Sequence, residues 1–140
     1  MSYFLCLAVP RAVADKLLRA FDPMIRFTDA STFPIGEVTR GSRDSRSAFL
    51  VQIGSSSASL VGKGGLRRTH NNDHSALLVA GIRTLMENEA CHSITFLLHW
   101  MQGFVSKEDI PIKNEQTVNI ADLADAVLNI AEDVRYKVTR

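Results

Sequence analysis

Little in this sequence commits it to a chemistry. It holds two cysteines, Cys6 and Cys91, in 140 residues. Each sits in or beside an apolar segment, so both read as buried, reduced thiols. A single disulfide between them would need an oxidising compartment that nothing else supports. No run approaches the roughly 18 apolar residues of a membrane span. The start, Met1-Ser2-Tyr3, lacks the basic region and small-residue cleavage site of a secretion signal, which points to the cytoplasm. Net charge is only +1, so no global field draws the chain to nucleic acid or to an anionic membrane. Missing too are a nucleophile elbow, a cysteine–histidine arrangement at family spacing and a cluster of paired carboxylates. No cofactor is implied.

What the sequence does have is the texture of one folded unit. The apolar fraction is 46% and the charged fraction 22%, both ordinary for a globular protein. The length suits a single α+β domain spanning 1–140, with no internal repeat or linker. Residues 2–9 are apolar on both alternating faces, the pattern of a central strand covered on two sides. Pro10 opens a helix over 11–21, with Val13, Ala14, Leu17, Leu18 and Phe21 on one stripe. Asp22-Pro23 ends it.

A short strand follows at 24–28, then a long polar loop to Ser47. Residues 47–54 alternate clearly, with Phe49, Val51 and Ile53 on one face, and 58–61 would pair back as a hairpin. A helix is expected over 73–90, capped by Asn72 or Asp73, with Leu78, Ile82, Leu85 and Met86 inward. Residues 93–101 form a second two-sided strand. After a loop at 103–118, a helix over 119–134 gives the strongest periodic signal, with Asn119 as its cap. Residues 135–138 would add an edge strand. The expected order is β-α-β-β-β-α-β-α-β, a mixed and mainly antiparallel sheet with about three helices.

Four features invite a functional reading. His70, Asp73 and His74 are metal-ligand types at close spacing, with His92 and His99 as further donors. Their spacing straddles the expected helix start and lacks the zincin glutamate, so a polar helix N-terminus accounts for them as well. His99 lies in strand 93–101. There a hydrogen-bonded sheet histidine is the plain alternative to an acid–base residue. Gly62-Lys63-Gly64-Gly65 departs from the Walker pattern and reads as a solvated loop before Arg67 and Arg68.

Charge is also segregated. Residues 36–70 carry six cations (Arg40, Arg43, Arg46, Lys63, Arg67, Arg68) against two acids, while the rest of the chain carries ten cations and thirteen acids. The two basic loops flank the 47–61 hairpin, so they can share one end of the sheet. Such a patch suits an acidic protein partner. Nucleic acid is disfavoured, because aromatic residues are not interleaved with the cations.

The reading that follows is a small, non-catalytic binding protein acting through protein–protein interaction. In size and texture it is similar to small α+β immunity proteins of bacteria, which neutralise a toxin, or to a small regulator. A metal- or histidine-dependent enzyme using His70, Asp73, His74 and His99 is the first alternative. A nucleic-acid-binding domain using the basic loops is the second. Strand 93–101 has to be covered, within the monomer or by a second copy in a homodimer.

Overall fold

The computed structural model describes residues 2–29, 46–53, 69–101 and 114–140. They form one six-stranded mixed sheet with three α-helices, so the α+β class holds and the elements follow the expected order, with one strand added at 114–119. The strands are β1 (Ser2–Pro10), β2 (Ile25–Asp29), β3 (Arg46–Ile53), β4 (Ser93–Met101), β5 (Asn114–Asn119) and β6 (Val134–Thr139). Their order across the sheet is β2-β3-β1-β4-β6-β5. Every pairing is antiparallel except β5 with β6. The helices are α1 (Leu17–Ala20), α2 (Thr69–Met86) and α3 (Leu123–Leu128). None among the described residues is long and apolar enough to cross a membrane.

The two strands read as central are central. β1 pairs with β3 on one side and β4 on the other, and β4 lies between β1 and β6. Alternation sends Leu5, Leu7 and Val9 to one face and Cys6 and Ala8 to the other. All three helices pack on the first face. Val13, Leu17, Leu78, Ile82, Leu85, Met86, Leu123 and Val127 join one core there with Phe96, Tyr136 and Val138. Tyr136 stacks on Phe96 with ring centroids 5.0 Å apart. The second face holds a small apolar cluster of Cys6, Ala8, Ala48 and Leu97.

Five details differ from expectation. The helix over 11–21 is a 3-10 segment (Arg11–Lys16) followed by a single α turn, and Leu18 points outward at 79% exposure. Leu17 and Phe21 fill the inward arc, and Leu18 lies about 100° around from Leu17. Helix α2 starts at Thr69 and stops at Met86, where the Asn88 side chain accepts from the Ala90 amide and turns the chain. Residues 114–119, read as loop, form a strand. Only Val118 is buried in it, so no alternation marked it.

The helix over 119–134 lasts only from a 3-10 turn at Ile120 to Leu128. Asn119 caps it as expected, accepting from the Ala121 amide at 2.9 Å. Asn129 is its C-cap: its backbone amide makes a last helical bond to the Asp125 carbonyl at 3.0 Å, and its side chain donates to the same carbonyl at 2.8 Å. Val134 then belongs to β6, which sits between β4 and β5 and is no edge strand. The expected strand at 58–61 and the glycine loop at 62–65 lie outside the described residues.

Both cysteines are buried, and neither is in a disulfide. Burial pushes the Cys6 thiol from 9.0 up to about 12. The fold therefore favours the neutral thiol, and the stability this supplies is present below pH 9 and lost as pH rises toward 12. The loss of unfolding free energy from about pH 8 to about pH 10.5 is expected to be smaller in Cys6→Ala than in the parent, measured by urea denaturation.

A second expectation concerns Gly81, in the middle of α2. A Cβ there would overlap the ring of Phe21, itself buried and edge-on to Phe27. Alanine is a better helix former than glycine by about 1 kcal/mol. The clash outweighs that gain, so Gly81→Ala is expected to destabilise by about 1–3 kcal/mol. Adding Phe21→Leu should recover part of the loss in the same denaturation assay.

Candidate metal centre

The turn before β6 brings two carboxylates to a histidine on β4. After Asn129 ends the helix, the Ala131 amide donates to the Tyr136 hydroxyl at 2.8 Å, which ties the descending chain to β6. Glu132 then bridges to Leu98 in parallel fashion. Asp133 follows in the left-handed region, at φ 59°, and its amide donates to the Leu98 carbonyl at 2.8 Å. Aspartate is among the few residues other than glycine that adopt this conformation readily. With its backbone fixed in this way, the Asp133 side chain meets the residue after Leu98.

That residue is His99. Its Nδ1 lies 2.6 Å from Asp133 Oδ1, and both residues are deeply buried, at 5% and 4% exposure. A carboxylate only accepts, so the histidine carries a proton on Nδ1, directed at Asp133 Oδ1. Glu132, half-buried, completes a group in which one ligand atom from each of the three residues lies within 4.8 Å of the others. An imidazole nitrogen with two carboxylate oxygens suits zinc, manganese or iron(II). The same pair without an ion would orient the imidazole, as a carboxylate does for a histidine base.

Of the residues singled out in the sequence, His99 alone belongs to this group. His92 is exposed in the turn ahead of β4. The backbone at His70, Asp73 and His74 lies within α2, not astride its start, so helical spacing puts positions 70 and 74 on one side. Their side chains lie outside the described part of the structure. So do Arg40, Arg43, Lys63, Arg67 and Arg68. Arg46 is described, and it faces the sheet. Its guanidinium reaches from β3 across β1, donating to the Ser93 carbonyl at 3.0 Å, to the Ser93 hydroxyl and to the Ala8 carbonyl. That geometry makes Arg46 a cross-strand tie.

Glu132 and Asp133 were hidden from sequence reading inside the apparent helix over 119–134. The signal that finds them is the alternation of Val134, Tyr136 and Val138 with Arg135 and Lys137. It marks a strand and forces the helix to end earlier.

No protein-family model, curated protein or solved structure matches the chain.

The left-handed backbone at Asp133 separates two substitutions. Asp133→Asn keeps a hydrogen-bonding side chain and tolerates that conformation. Asp133→Ala strains the backbone by about 1 kcal/mol and leaves the buried imidazole short of a partner, at about 1–3 kcal/mol. The alanine variant is therefore expected to be the less stable of the two by about 1–3 kcal/mol in urea denaturation. Equal stabilities would show that the pair contributes nothing to the fold.

Proposed function

We propose that this chain is a non-catalytic binding protein that carries a structural divalent transition-metal ion at His99, Glu132 and Asp133. The observation that carries the reading is the convergence of three ligand atoms at a buried position, with the imidazole and the aspartate already in contact. An ion bound through Nδ1 would replace the proton held between Nδ1 and Oδ1, releasing it to solvent. The two atoms would part from 2.6 Å to about 3.4 Å, the spacing of two donors about 2.1 Å from one tetrahedral zinc ion. The burial of His99 and Asp133 supports a structural role; the three side chains fill three positions, and a fourth donor, protein or water, completes the coordination.

Cobalt(II) tests this, since its visible spectrum reports nitrogen and oxygen ligands. The metal-free protein is expected to bind one equivalent of zinc or cobalt. His99→Asn and Glu132→Gln, checked for folding by circular dichroism, should each weaken binding at least tenfold. One equivalent retained unchanged in both variants would move the ion elsewhere, such as to His70, Asp73 and His74 on α2, and overturn the assignment.

A second reading, a protein partner, draws on a separate observation. Leu18 and Met24 are the exposed large hydrophobic residues among those described, at 79% and 48%. They sit beside β2, which ends the sheet order, and Leu18 helps line a groove of about 490 Å³ together with Phe21, Ile25 and Phe27. Neighbouring apolar groups of this kind suit an interface better than they suit water. Toxin neutralisation is the specific form this reading takes for a small binding protein. If this surface docks a partner, Leu18→Glu is expected to lose any protein that the parent chain retains from the native host. A partner held equally by both would place the interface elsewhere.

A further inference from the structure

The ligands of the proposed centre come from two different parts of the sheet. His99 is on β4, while Glu132 and Asp133 precede β6. Strand β6, helix α3 and strand β5 form one β-α-β unit, the two strands parallel and joined through the helix. In the order β2-β3-β1-β4-β6-β5, the only sheet neighbour of this unit among the described residues is β4.

The β4–β6 ladder runs from Ser93 against Thr139 to Leu97 against Arg135. Beyond it the regular pairing gives way to the single Leu98–Glu132 bridge and the bond from the Asp133 amide to Leu98. The His99–Asp133 contact is thus at the end where the two strands part. At the opposite end Arg140 donates to the carbonyls of Cys91 and Asn88, at 2.8 and 3.1 Å. Between the two ends lie the Phe96–Tyr136 stack and the packing of α3 on the helical side.

We infer that the His99 centre is an ion-dependent latch: metal occupancy fastens the β5–α3–β6 unit to β4 and so controls whether that unit opens separately from the rest of the sheet. The inference rests on the proposed metal site and adds to it what the ion regulates. The unit is held by the β4–β6 ladder and by the packing of α3 in the shared core, and a contiguous β-α-β unit of this kind opens at lower free energy than the whole. Separating β6 from β4 also separates His99 from Glu132 and Asp133, so every such opening must release the ion. An ion that binds only the closed form suppresses the opening by mass action, about 100-fold at a free concentration of about 100 Kd.

Amide hydrogen exchange of the full chain, followed by peptide or by NMR with and without zinc, tests this. Without metal, amides in 114–119 and 134–139 are expected to exchange faster than those in β1 and β3. Zinc is expected to slow them about 100-fold at 100 Kd, and Glu132→Gln should remove most of that effect. Two results overturn the latch while leaving the metal site intact. In one, zinc binds at His99 yet exchange in 114–119 and 134–139 is unchanged. In the other, these strands already exchange in step with β1 and β3 without metal. Zinc binding that ignores both His99→Asn and Glu132→Gln sinks the site, and the latch with it.

Discussion

The pairing of β1 with β4 is the constraint on which the rest of the sheet depends. Both strands are apolar on both faces, and they run antiparallel from Ser2 against Met101 to Ala8 against Thr95. Two such strands side by side leave nothing to face water. One side takes the three helices and the large core. The other takes the small cluster of Cys6, Ala8, Ala48 and Leu97. Everything else is arranged outward from this pair: β3 and β2 on one flank, β6 and β5 on the other. The outermost strands are also the more polar, with Asn114 to Thr117 exposed, which blunts the edge against further pairing.

Against that frame, what the sequence revealed depended on burial on two sides. Strands 2–10 and 93–101 stood out because apolar residues occupy consecutive positions, and no other regular element of that length demands this. The inward face of α2 was legible for the same reason, since Leu78, Ile82, Leu85 and Met86 are all buried, whereas of the stripe read over 119–134 Leu123 and Val127 are buried but Ala124 and Ala131 are exposed. The boundaries were not legible. Asn129 and Asn88 make side-chain hydrogen bonds where their helices end, and a helical stripe carries no information about those. Strand β5 was silent because an edge strand with one buried residue has no pattern to show.

The candidate centre was legible only by half. His99 was visible as a polar residue in an apolar strand. Its partners were not, because they are distant in sequence and come from a turn concealed by an overlong helix. The His70, Asp73 and His74 group had the opposite fault: it was conspicuous in sequence because its members are adjacent. Proximity along the chain and proximity in space are different quantities. The sheet connects His99 to Asp133 across 34 positions. The same lesson applies to Arg46. Counted as a member of a basic patch, it instead serves three acceptor groups on β1 and β4.

The placement of β1 and β6 on either side of β4 has a mechanical consequence. Ser2 is level with Met101 and Thr139 with Ser93, so these two strands run parallel to one another, and the start of β1 and the end of β6 lie at opposite ends of β4. Eight strand residues separate these levels, about 26 Å along the sheet. A pulling force applied between residue 2 and residue 139 would run nearly along the strands. It would load the two central ladders in shear, with many hydrogen bonds sharing the strain at once, and would not peel them apart one by one. On that axis the sheet is at its stiffest.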